Sequence, residues 1–221
     1  MNAAEADEIV DLAIANKPRG VVGVDICGNP TKGDVSAYRD AFSRAKSNGL
    51  GITLHFAETV ASASHAELAT LLSFMPDRLG HVIHVPDEFK KEISRRKLGL
   101  ELCISCNVHA KMISGGYLDH HFGYWRHEDC PIALCVSCSL LGESVLKLTF
   151  FLTCFLQTDD VGFFCSPVSN EYLLAAQHFG LNREDLLRIC YKATEAIFGS
   201  EAEKERIARM LDLFKVDMSR S

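Results

Sequence analysis

The chain has 221 residues, 48% of them hydrophobic, which is enough for one domain with a substantial core. A formal net charge of -6 and an isoelectric point near 5.8 leave no basic footprint for nucleic acid. Met1 opens an acidic, polar stretch rather than a signal peptide. Nine cysteines without a short, loop-rich scaffold read as free thiols, so a cytosolic address is expected.

Apolar residues at helical spacing (Ala4, Ile9, Val10, Leu12, Ala13, Ile14) predict an amphipathic helix over 2–16, ending near Lys17-Pro18-Arg19-Gly20. A strand follows at 21–26, closed by Cys27-Gly28-Asn29-Pro30, and then a helix over 38–47 stopped by Asn48-Gly49. Ile52-Thr53-Leu54 is β-branched and apolar, hence a buried strand, and it delivers His55 and Glu58 where the strand gives way to a loop. A helix over 65–74 broken by Pro76, a strand over 78–84, a helix over 89–97 and a strand over 100–105 come next. A polar connection at 108–129 holds His109, His120, His121 and His127, none at the i, i+4 spacing of a zinc protease, so a structural or solvated role is expected. A fifth strand at 131–135 precedes the pair Asp159-Asp160. Helices close the chain at 170–179, from an Asn182 cap to 198, and from Ser200, whose partner Glu203 completes a capping box.

Strands starting near 21, 52, 79 and 100 give the spacing of parallel βα repeats, because each crossover helix must return the chain to the same end of the sheet. The class is α/β, a barrel or a doubly wound sheet, and ligands of both collect at the carboxyl ends of the strands. Gly28, His55 with Glu58, His81 and Asn107 all fall there. A neutral imidazole can bind a metal and a nearby carboxylic acid can exchange a proton with a substrate. Taken singly, a strand histidine is more often a hydrogen-bonded core residue, and two adjacent acids are more often a cap or turn.

Taken together, the stretches VVGVDICGNP (21–30), LHFAE (54–58), DRLGH (77–81), LELCISCNV (100–108), HHFGYW (120–125) and TDD (158–160) resemble the adenosine and AMP deaminase family. The resemblance is greatest to its adenosine-deaminase-like branch of N6-methyl-AMP deaminases. It implies a (β/α)8 TIM barrel with zinc at its C-terminal mouth, of which about five βα units are present here. It also implies His55 and Asp159 as zinc ligands, Glu58 as the acid that protonates the purine ring nitrogen N1, and His81 beside the attacking water. Asp160 would accept a hydrogen bond from the purine, and Gly28 would let the backbone approach the base. The implied cofactor is one Zn2+, and the implied partner is a small purine nucleotide. Neither nucleic acid nor membrane is expected as a partner, and a monomer is.

Two departures from the family pattern carry expectations of their own. No His-x-His occurs in the 221 residues, whereas the family's first strand supplies two zinc ligands that way. Residues 21–26 then correspond to the family's fourth strand, and an N-terminally truncated or spliced, catalytically inactive product is the alternative reading. The second departure is the 22-residue stretch 136–157 between the fifth strand and the Asp pair. Its apolar run of ~12 residues is too short for a bilayer-spanning helix of about 20. Smaller departures are Asn29 where an acid is usual, Cys106 where Ser is usual, and Val82 where Gly usually follows the histidine and which would crowd the pocket mouth. A structural-zinc module built from Cys103-x-x-Cys106 and Cys135-x-x-Cys138 is the rival from another class, with 28 residues between its pairs rather than about 15–20.

Overall fold

The computed structural model describes residues 2–29, 33–135 and 167–218. The chain divides into two compact units, one holding the residues up to Glu92 and the other the described residues from Ile93 onward. Each is built of βα repeats in the expected order.

In the first unit, helix α1 (Ala3–Ala15) starts at an Asn2 cap. The Asn2 side chain accepts from Glu5 N at 3.0 Å, while the Glu5 carboxylate accepts from Asn2 N at 2.7 Å. Strand β1 (Gly23–Ile26) leads to α2 (Arg39–Ser47), which buries Ala41, Phe42 and Ala45. Strand β2 (Gly51–Phe56) is the middle strand of three, with parallel neighbours β1 and β3 (Arg78–His81). A strand covered on both faces reads as a continuous apolar run, and Ile52, Leu54 and Phe56 are fully buried. Helix α3 (His65–Ser73) connects β2 to β3, and the Phe74 ring after it stacks on Phe42 at 5.1 Å. Register is pinned at the amino ends by Asp77, whose carboxylate accepts from Ile52 N at 2.9 Å and pairs with Lys46 at 2.6 Å. The registers Ile26↔Leu54 and Phe56↔His81 bring the carboxyl ends of all three strands to one edge.

Helix α4 (Asp87–Arg96) carries the chain across the division. The second unit then pairs β4 (Gly99–Leu102) with β5 (Ile132–Leu134), again parallel, with Leu102↔Leu134 in register. The expected strand over 100–105 is corrected here. It stops at Leu102, and Ile104–His109 is a short helix, α5. The Glu171 carboxylate, fully buried, accepts from Ser105 N at 3.0 Å, a tertiary partner that outweighs the β-propensity of the local residues. The polar connection 108–129 also differs from an open loop. It forms helix α6 (Phe122–Trp125), and both terminal aromatics of that helix are fully buried. Helices α7 (Val168–Phe179), α8 (Arg183–Ala193) and α9 (Glu201–Met218) follow. Asn182 caps α8, and Ser200 and Glu203 exchange the hydrogen bonds of the expected capping box. The fold is α/β, with five strands among the described residues, the partial (β/α)8 barrel class expected from the sequence.

Candidate active site

At the shared edge of β1, β2 and β3 three titratable side chains converge. His55 comes from the penultimate position of β2, Glu58 from just beyond the same strand, and His81 from the end of β3. The imidazole rings of His55 and His81 lie 5.0 Å apart, centroid to centroid, tilted by 58°. His81 Nε2 is 3.7 Å from Glu58 Oε1, and His81 and Glu58 are 0% and 3% exposed. Across β1, Asp25 Oδ2 stands 3.4 Å from His55 Nδ1. Asp25 escaped the sequence reading. An acid in the middle of an otherwise apolar strand was the signal that could have found it.

The backbone is bent to make this arrangement. Ala57, His81 and Val82 have φ of 51°, 61° and 49°, the left-handed region that side-chain-bearing residues rarely occupy. A tight turn centred on His81 is closed by Val82 N–H, which donates to Gly80 O at 2.8 Å and to Phe56 O at 3.0 Å. His84 N–H donates to Ala57 O at 2.8 Å, so both bends are tied to each other. Such strain of order 1–3 kcal/mol per residue clusters where a side chain must be aimed rather than merely packed. Val82 is 1% exposed, so its isopropyl group is buried. A Cβ on Gly80 would meet the His55 ring at 3.7 Å, an ordinary van der Waals contact, so the two residues are neighbours without crowding. Gly28 has φ 114° with open space where a Cβ would stand, so its backbone geometry, not crowding, asks for glycine.

His55, Glu58, His81 and Gly28 therefore lie at strand ends of one unit, as their sequence positions predict. Asp159 and Asp160 lie outside the described residues, as do the stretch 136–157 and Cys138. Among the described residues no group of three or more His, Cys, Asp or Glu side chains could hold a metal ion. His55 is a chemically suitable zinc donor with a carboxylate against its Nδ1, the usual way such a ligand is oriented, so the described residues fit one side of a zinc site and not a whole one.

The loop histidines lie apart from that edge in sequence, and His109, His120 and His127 have hydrogen-bond partners. His120 is 2% exposed. Its Nδ1 accepts from Phe122 N at 3.0 Å and its Nε2 meets the Asn107 amide at 3.0 Å. His109 bonds the Tyr117 hydroxyl at 3.1 Å, and Arg126 donates to His127 at 3.2 Å. Asn107, fully buried, is the partner of His120. Of the two CxxC pairs, Cys103, Cys106 and Cys135 pack in one buried cluster flanked by Met112.

Comparison with known proteins identifies the family and fold. The sequence model of the adenosine deaminase family matches residues 1–134. An N6-mAMP deaminase of Arabidopsis thaliana is 31% identical over 207 residues, which is 94% of this chain and 51% of that protein. A crystal structure of arabidopsis N6-mAMP deaminase superposes with a TM-score of 0.81 at 30% identity, covering 96% of this chain and 56% of the other. Arabidopsis ADAL complexed with IMP gives 0.80 at 29% identity, with coverages of 96% and 55%. The chain thus spans about half the length of the curated relatives it matches.

Proposed function

The chain belongs to the adenosine deaminase family, and from that premise we propose that its residues serve the hydrolytic deamination of a purine nucleotide. The substrate we infer is N6-methyl-AMP, with IMP and methylamine as products, in a single adenosine-deaminase-type domain working in the cytosol. The observation that carries the reading is the buried Glu58–His81 pair, 3.7 Å apart on adjoining strand ends. The relatives' names and the IMP bound to arabidopsis ADAL support the choice of substrate.

In this reading Glu58, in its acid form, gives a proton to N1 of the purine as a water oxygen adds to C6. His81 takes the proton that this water sheds and returns it to the departing amine, and the new C6 hydroxyl gives its proton back to Glu58 as the carbonyl forms, so one water is consumed and one methylamine released. The near-complete burial of both groups keeps bulk solvent from competing for either proton. His55, oriented by Asp25, would hold zinc through Nε2, with Asp159 as a further ligand and Asp160 on the purine. Zinc, when bound, lowers the pKa of water from 15.7 to about 7. Gly28 leaves open space at the end of β1 for the base.

The test is a chimaera in which residues 20–221, without 136–157, follow the amino-terminal half of the Arabidopsis relative. It should form IMP from N6-methyl-AMP. Glu58→Gln should lower turnover by about 10²–10⁴ with bound zinc unchanged, and His55→Ala should lose zinc. A zinc-loaded chimaera inert toward every N6-substituted purine nucleotide overturns the reading. The 221-residue chain alone should turn over negligibly, because His55 and Asp159 are two ligands where a catalytic zinc takes about three.

A further inference from the structure

Beyond the deaminase residues, the second unit holds a thiol pair with its own chemistry. Cys103 follows β4 and Cys135 follows β5, and the register Leu102↔Leu134 places them side by side at the next step of the ladder. Cys135 N–H donates to Leu102 O at 2.9 Å, so the pairing continues to that point. The two sulfurs are 3.2 Å apart and the residues are 1% and 6% exposed. We propose that Cys103 and Cys135 are a redox site, closing to an intramolecular disulfide when the chain meets a hydroperoxide.

Geometry favours closure. Neighbouring strands run about 4.7–4.9 Å apart, inside the Cα separation of about 4.4–6.8 Å that disulfides span. The sulfurs need to approach by only about 1.2 Å to reach bonding distance, a side-chain rotation with no strand displaced. The chemistry balances. One thiol loses its proton and its sulfur attacks a peroxide oxygen, breaking the O–O bond and releasing water. The second sulfur then displaces hydroxide from the resulting sulfenic acid, forming the S–S bond and releasing a second water. Two thiols and one hydrogen peroxide thus give one disulfide and two waters. Burial disfavours the thiolate, so the pair reacts more slowly than the exposed Cys27. Closure fastens the carboxyl ends of β4 and β5 to each other, at the point where the chain leaves β5.

The experiment treats the full 221-residue chain with hydrogen peroxide, alkylates remaining thiols under denaturant, and maps peptides without reduction. The expected result is a slow loss of two alkylatable thiols per chain and a cross-link that fragmentation assigns to Cys103 and Cys135, reversed by dithiothreitol. It should be absent in Cys103→Ser and in Cys135→Ser and retained in Cys106→Ser. The proposal is overturned if both residues stay alkylatable while Cys27 is oxidised, or if Cys103 is found joined to Cys106. The wild-type map alone decides between these, whether or not a variant folds.

Discussion

Around β2 and β3 the partly buried His55 stands 3.4 Å from the exposed Asp25, and the buried His81 stands 3.7 Å from Glu58. The second unit has buried polar groups of its own. Asn107, His120 and Glu171 are each held at 3.0 Å, His120 and Glu171 by backbone N–H groups. His81 and His120 are about equally hidden, at 0% and 2% exposed; His81 faces a carboxylate beside strained backbone, and His120 meets the Phe122 N–H and Asn107. His120 Nδ1 accepts from the Phe122 N–H, and its Nε2 lies 3.0 Å from Asn107 Nδ2.

Stability measurements can break this contrast. The largest effect is expected from His120→Leu, which strands the Phe122 N–H and the Asn107 amide. Each orphaned buried group costs about 1–3 kcal/mol, to be read from the urea midpoint at constant slope. Glu58→Gln should cost less than ~1 kcal/mol or raise stability, as is common where a residue serves chemistry. Equal losses in the two variants would erase the distinction between the units.

Val82 sharpens it. At φ 49° alanine is strained and glycine is not, so Val82→Gly should be more stable than Val82→Ala by about 1 kcal/mol. That reverses the ordinary penalty for glycine, although both variants lose the two buried γ-methyl groups and glycine loses Cβ as well. If alanine proves the more stable, the turn at His81 is not strained.

The smallest effect lies on the surface of the second unit. The Lys192 and Lys97 ammonium groups, each 2.5 Å from Asp129, lower its carboxyl from 3.8 to about 2. A carboxylate whose pKa is depressed on folding stabilises above its unfolded value and ceases to as pH falls through the folded one. The melting-temperature gap between wild type and Asp129→Asn should thus be present above pH 3.8 and close as pH falls through about 2. A gap independent of pH would mean that the two lysines do not set the carboxylate's titration. Full exposure keeps the effect small.

The repeats were legible because each strand and helix carries its own period and stop signal. Asn182 and Ser200 cap their helices as their sequence contexts require. His55, Glu58 and His81 were legible because parallel strands bring their carboxyl ends to one edge whatever the details of packing. What escaped depends on distant partners. Cys103-Ile104-Ser105 reads as strand until Glu171, 66 residues further on, caps it into a helix. Asp25 gained its place only when β1 was laid beside β2. The left-handed backbone at Val82 could not be inferred from valine, a residue that resists it.

The Val82 amide has a use as a reporter. Its proton is shared between Gly80 O within the turn and Phe56 O on the neighbouring strand, and the residue is almost wholly shielded from water. Its exchange with deuterium requires the end of β3 to part from β2. A single labelled nitrogen at position 82 thus gives a spectroscopic gauge of how often the Glu58–His81 edge opens, in a resting protein with nothing bound.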